Sequence, residues 1–295
     1  MLKLAEYSLV ASVMLVFLAL ICYILVVVLG RSVKQAPVMA HAGGHGAGGE
    51  APPAVDSAQP RSLALYGTYF TWLTLAFLTA SLVFRWIVVG HGPFSNMYEF
   101  SVAFGWGMIL AYVYFEHRYH VRTLALLILP FTGALLLYAM TVGDTVSPLV
   151  PALQNNLLLS VHVAVAILAY GAFAVSCAAA MLFLIQPASG RKGLPKPALL
   201  DEIGYRAVVV AFPLLTMTVV LGAVWAQVAW GRYWSWDPKE TASLLTWLVY
   251  GAYLHARVAH GWTGRRSAWL LMLGFAAVLF TYFGNYFFGG LHSYA

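Results

Sequence analysis

Along the chain, eight mostly apolar stretches alternate with short polar breaks or breaks rich in glycine and proline. A helix rises about 1.5 Å per residue, so about 20 apolar residues cross the hydrocarbon of a bilayer. The apolar runs lie near 8–29, 63–89, 99–115, 123–140, 157–185, 205–227, 241–259 and 267–288. The pattern predicts an all-α integral membrane protein, a bundle of about eight transmembrane helices. The third run is short and contains Gly105 and Gly107, so it is the weakest of the eight. The first has only Lys3 as a basic residue before it and no small-residue cleavage site after it, which predicts a retained helix rather than a removed signal.

The break between the first two runs differs from the others. Residues 31–62 are rich in Gly, Ala and Pro and include His41 and His45. Such a segment has too little apolar surface to build a core and reads as a solvated linker. The expected division is a first helix over 1–30, a cytoplasmic linker over 31–62, and a transmembrane domain over 63–295 that includes a Trp-rich loop at 225–247.

Composition agrees with this division. The chain is 62% hydrophobic and 9% charged, against about 25% charged for a soluble domain. Of its 16 Lys and Arg residues, twelve fall at one set of helix ends if all eight runs cross. That excess marks the cytoplasmic side. Both termini and the loops 91–98, 142–156 and 229–240 then lie outside. The net charge of +6 therefore follows from membrane topology and gives no reason to expect nucleic-acid binding. Cys22 and Cys177 are far apart, each within an apolar run, with no Cys-x-x-Cys between them. Thiol exchange by the chain itself is unsupported, and so is a covalently attached heme.

The chemistry concentrates in Trp230-Gly231-Arg232-Tyr233-Trp234-Ser235-Trp236-Asp237-Pro238-Lys239-Glu240, with Trp225 before it and Trp247 after it. An interfacial aromatic belt needs tryptophans but no fixed order of residues. Here Asp237 is placed to cap the next helix and Pro238 to occupy its first turn. The result is a short platform of indole rings fixed to a helix end, suited to a large planar apolar ligand.

This string resembles the WWD signature of heme-handling membrane proteins. With Thr246-Trp247, Tyr250, Leu254-His255-Ala256-Arg257, Gly284-Asn285-Tyr286, Gly290-Leu291-His292-Ser293-Tyr294 and the earlier Gly90-to-Glu99 stretch, it is similar to the CcsA (ResC) family of system II cytochrome c synthases. The resemblance runs from about Arg85 to the C-terminus. The Asp-Pro-Lys-Glu form and the Leu-His-x-Arg ending favour that family over CcmC and CcmF, and the chain length argues against the much longer CcmF.

The resemblance implies a heme lyase in the inner (cytoplasmic) membrane. It would carry heme b to the outer face and present it to the Cys-x-x-Cys-His segment of apocytochrome c. A CcsB (ResB)-type membrane protein would be its partner, with thiol-reducing proteins acting indirectly. His162 and His292 are the implied ligands of an outer heme. By charge counting alone, both belong on the side of the Trp loop. His255, inside the seventh run, is the implied ligand of a second heme within the membrane, shared with the partner; ionisable residues at that depth are costly and mark function. Trp225, Trp230, Gly231, Trp234, Trp236 and Asp237 form the expected platform. Arg85, Arg232 and Lys239 are candidate contacts for heme propionates, and His91 is a possible accessory. No nucleophile–base pair is expected, because the cofactor carries the reactivity. The alternatives are a heme exporter or chaperone without ligase activity, and a membrane b-type cytochrome in electron transfer.

Overall fold

A computed structural model describes residues 1–32, 58–143, 145–146, 156–191 and 193–292. His41, His45 and nearly all of the expected linker fall outside the described residues. The described chain forms eight α-helices: α1 (Leu2–Ser32), α2 (Ala58–Val89), α3 (Met97–Tyr119), α4 (Ala125–Thr141), α5 (Asn156–Leu184), α6 (Pro197–Trp230), α7 (Pro238–His260) and α8 (Arg265–Phe287). One 3-10 turn, Arg122–Leu124, joins α3 to α4.

Each apolar run became one helix. The helices exceed the runs because helical hydrogen bonding continues past the hydrocarbon edge, where polar residues need not be excluded. α6 shows this best. It begins at Pro197, whose missing N–H has no helical partner to lose in the first turn, and runs 34 residues to Trp230.

Six helices are apolar and long enough to cross a membrane by composition; α3 and α7 are the two outside that group. Each has 23 residues, about 35 Å of helix, which is span length. Their polarity has a place to go. α3 is enclosed by α2, α4 and α5, and α7 lies against α6 and α8. Phe104, Met108, Ile109 and Tyr112 of α3 are fully buried. The run that looked weakest is thus largely covered by its neighbours.

α1 packs along α2 and α4, and α5 lies against α3, α6 and α8. Several buried hydroxyls are satisfied within the bundle, as a medium without water favours, although those of Thr132, Tyr250 and Tyr253 find no partner among the described residues. Ser12, Thr71 and Thr246 each donate to the carbonyl four residues back, at 2.8, 2.8 and 2.9 Å. Others bridge helices: Thr246 to Thr281 at 3.1 Å, Trp247 Nε1 to Thr216 at 2.9 Å, and Ser101 to Tyr282.

The two ends of the bundle differ. At one end, Arg257 pairs with Asp201 at 2.7 Å and Asp201 accepts from the Gly264 N–H, tying α6, α7 and α8 together. At the other, the α2–α3 loop, the start of α5, the α6–α7 loop and the residues after α8 converge on a cleft.

Candidate functional site

The loop between α6 and α7 is short and pinned at both sides. Gly231 ends α6 in a left-handed conformation, its N–H donating to the Gln227 carbonyl at 3.0 Å. Asp237 caps α7. Its carboxylate accepts from the Lys239 N–H at 3.1 Å, while Glu240 reaches back to the Asp237 N–H at 3.1 Å and the Ser235 N–H at 2.8 Å. These two carboxylates fasten the loop and are not presented as acids. Between them sits Trp236 with a φ of 59°, a left-handed backbone that a bulky residue rarely adopts. The Glu240 bonds on either side of Trp236 are what hold it there.

Asp237 also reaches the far end of the chain. It accepts from the Leu291 N–H at 2.5 Å and from His292 Nδ1 at 2.7 Å. Gly290 makes this possible, because a Cβ there would collide with the Asp237 carboxylate. Burial works to raise the Asp237 carboxyl, but the His292, Leu291 and Lys239 hydrogens outweigh it and hold it below the usual value. Burial likewise pushes His292 below the ordinary histidine value despite the opposing pull of Asp237. The pair at neutral pH is therefore a carboxylate and a neutral imidazole. Since the carboxylate can only accept, Nδ1 carries the proton and Nε2 carries the lone pair.

His162 reaches the same state by another route. Nearly two turns into α5, its Nδ1 lies 2.9 Å from the Thr218 carbonyl of α6. A carbonyl only accepts, so Nδ1 is again the protonated nitrogen. The ring packs closely against α6 because position 222 is glycine; a Cβ there would stand 2.8 Å from His162 Cε1.

His162 and His292 line one cleft, together with Trp225, Trp234, Lys239 and Tyr233. Its free space is about 130 Å³ inside and about 920 Å³ with the open mouth. Trp225 and Trp230 meet edge-to-face at 4.7 Å, and His292 stands 4.9 Å from Trp230 and 5.7 Å from Trp225. Beneath lies an apolar floor of Ala103, Leu159, Val163, Ile167 and Trp225. Trp225 is 2% exposed, yet its Nε1–H has no acceptor among the described residues. Lys239 projects into the cleft with its ammonium 5.6 Å from the Phe100 ring centre.

Other expected site residues lie elsewhere. Trp236 does not line the cleft; it is 70% exposed and meets Trp234 edge-on at 5.8 Å. Arg232 is exposed on the loop. Arg85 is buried in an ion pair with Glu99, at 2.9 Å between Nε and Oε1. The other Glu99 oxygen accepts from the Ser95 N–H at 2.8 Å and hydroxyl at 2.7 Å, so the pair anchors the α2–α3 loop, whose Phe94 and Ser95 line the cleft. His91 donates through Nδ1 to the Gly92 carbonyl at 2.9 Å and is not in the cleft wall. His255 is exposed on α7, its ring edge-to-face with His260 at 5.2 Å.

Sequence reasoning missed Tyr233, Phe100, Gly222 and the Thr218 carbonyl. Tyr233 stood within the recognised motif. A glycine inside an apolar helix was the one signal for Gly222. A backbone carbonyl leaves no signal at all.

Among the described residues no three His, Cys, Asp or Glu side chains gather to hold a bare metal ion. Two imidazoles over an apolar, indole-walled cleft with a cation and an idle N–H donor suit a metal carried in an apolar macrocycle with acidic substituents.

Comparison with known proteins agrees with this chemistry. The family model described as cytochrome c assembly protein matches residues 94–292. A cytochrome c biogenesis protein CcsA of Guillardia theta is 37% identical over 258 residues, covering 78% of this chain and 84% of the relative. One from Synechococcus sp. (strain JA-3-3Ab) is 37% identical over 296 residues, covering 79% and 85%. A solved structure named cytochrome c heme lyase CcmF superposes with a TM-score of 0.61 at 19% identity, over 96% of this chain and 46% of that one. The likeness to CcmF is one of fold, and this chain spans about half of CcmF's length. On the family match and the CcsA identities, the chain belongs to the cytochrome c assembly protein family, within its CcsA group.

Proposed function

We propose that this protein attaches heme to apocytochrome c as a heme lyase, holding the porphyrin in the cleft between His162 and His292. The observation that carries the reading is the shared cleft: two imidazoles from opposite ends of the domain, both with Nδ1 as the protonated nitrogen, face one apolar space. CcsA relatives and the fold shared with a heme lyase support the reaction class.

Heme b supplies the iron and two vinyl groups that accept thiols. Its thioethers form when each Cys S–H of a Cys-x-x-Cys-His segment adds across a vinyl C=C, sulfur to carbon and hydrogen to the neighbouring carbon. The protein's work is orientation and exclusion of water. His162 and His292 fix the iron's depth. Asp237, by accepting the His292 proton, keeps that ring in the ligating tautomer and raises its basicity. Trp225 and Trp234 line the wall, while Trp230 backs it through its contacts with Trp225 and His292, and Gly231 ends α6 behind it. Lys239 and the Trp225 Nε1–H meet the propionates, which would otherwise be buried charges without partners. The open mouth of the cleft would leave the vinyl edge within reach of a peptide.

His255 lies at the other end of the membrane domain with its ring exposed. It forms half of a second heme site, completed by a CcsB-type partner, through which heme enters. The protein resides in the cytoplasmic membrane with the cleft and both termini outside. The division proposed is a first helix over 1–30, a linker over 31–62 whose last residues already open α2 at Ala58, and a heme-handling domain over 63–295.

The test is thioether formation by the purified protein, reconstituted with a CcsB-type partner, reduced heme and a reduced Cys-x-x-Cys-His peptide. His162→Ala and His292→Ala should abolish the product, read by pyridine hemochrome. Normal product from both variants would refute the assignment.

A further inference from the structure

A second cavity opens at the opposite end of the bundle, outside the cleft and unused by the mechanism. Its wall is formed by Thr68 and Trp72 of α2, Glu116 and His117 of α3, and His120 and Arg122 just beyond α3. It holds about 270 Å³, or 600 Å³ with its mouth.

The cavity is built around a buried carboxylate. Glu116 is 6% exposed and accepts from the Thr68 hydroxyl at 2.6 Å and the Tyr23 hydroxyl at 3.3 Å; Tyr112 donates to Tyr23 at 3.3 Å behind it. Arg122 sits at the rim with its side chain 44% exposed. Its Nε donates inward, to Glu116 at 3.3 Å and to Thr68 at 3.2 Å. Glu116 is the one carboxylate among the described residues that pairs with Arg122. The inward bonds orient the guanidinium through its inner nitrogen and leave its terminal NH₂ groups for a ligand. That is how a fork for two oxygens is pre-organised. His117 and His120, both exposed, add ring N–H donors beside it.

This donor set calls for an oxyanion, and its place calls for a lipid. The rim lies where α3 ends, at the bundle end that carries most of the Lys and Arg. Up α2 from the cavity runs an outward apolar and aromatic face: Trp72 is 51% exposed, Leu73 45% and Phe77 39%. An acyl chain can lie along that face while its headgroup sits at the rim. The indole at the junction occupies the position that interfacial tryptophans favour.

We propose that Arg122, His117 and His120 bind the phosphodiester of an anionic phospholipid, with Glu116 and Thr68 positioning Arg122.

The test is native mass spectrometry of the delipidated protein titrated with phosphatidylglycerol. The wild type should retain one lipid that survives activation. Glu116→Gln/Arg122→Gln removes the fork without leaving an unpaired buried charge, and should bind about tenfold more weakly. His117→Leu removes a ring N–H donor at an exposed position of α3, so its folding is not in question; it should weaken binding several-fold. Diacylglycerol, which lacks the phosphate, should not compete. Unaltered affinity in the histidine variant and the double variant would overturn the proposal. So would equal retention of diacylglycerol, or displacement of the lipid by inorganic phosphate at equal concentration, which would assign the site to a soluble anion.

Discussion

Replacing Asp237 with asparagine tests the link between the Trp-rich loop and the ligand at the other end of the domain. Three N–H donors share the Asp237 carboxylate: His292 Nδ1 and the Lys239 amide on Oδ2, and the Leu291 amide on Oδ1. Asparagine offers one oxygen and one NH₂. With the oxygen toward His292, the NH₂ confronts the Leu291 N–H, and the residues that carry His292 lose their anchor. With the oxygen toward Leu291, the NH₂ confronts His292 Nδ1 and drives the proton to Nε2, which then cannot ligate. Either way one charge-assisted bond is lost, worth about 1.5–3 kcal/mol. That corresponds to roughly ten- to hundredfold in affinity, the range seen when groups that orient a metal-bound histidine are removed. The assay is titration with hemin in nanodiscs, in a His255→Ala background so that only the outer site is read. The expected result is a Kd raised about ten- to hundredfold, with helical circular dichroism unchanged. A Kd within twofold of the parent would refute the reasoning.

Four further outcomes are expected. Gly222→Ala places a methyl 2.8 Å from His162 Cε1, shifts the ring off the Thr218 carbonyl and should weaken outer heme binding about tenfold or more, read by hemin titration with helical circular dichroism unchanged. Glu99→Gln leaves Arg85 buried without its counter-charge and should cost about 3–5 kcal/mol, read by thermal unfolding. Glu240→Ala frees the backbone at Trp236, which should show as increased amide hydrogen exchange at Ser235 and Asp237. His292 titrates below its unfolded value of about 6.5. The unfolded chain therefore takes up its proton first, and the stability of the heme-free protein should decline as pH falls from about 6.5 through the folded pKa. Asp237, also depressed, adds a second loss only below about 3.9. Chemical denaturation across pH 2–8 checks both.

Much of this was legible in the chain because a membrane interior leaves few choices. Apolar runs of span length must be helices, and all eight runs are. Asp237 and Pro238 announced the start of α7 by capping chemistry alone. Charge counting put His162 and His292 on one side, and the structure puts both in one cleft. What stayed hidden was tertiary. α3 looked weak because hydropathy measures contact with lipid, and α3 contacts helices instead. The motif did not tell its tryptophans apart, but the left-handed turn at Trp236 leaves that indole exposed while Trp225 is buried. Arg85 looked like a propionate contact because its partner, Glu99, lies across a loop from it in sequence.

The central claim, one heme held by His162 and His292, is tested most directly by electron paramagnetic resonance of the ferric heme-loaded protein in the His255→Ala background. The parent should give a low-spin, bis-imidazole signal. His162→Gly and His292→Gly should each convert it to high spin, and added imidazole should restore low spin by filling the space left. A low-spin bis-imidazole signal that persists in both variants without added imidazole would contradict the account.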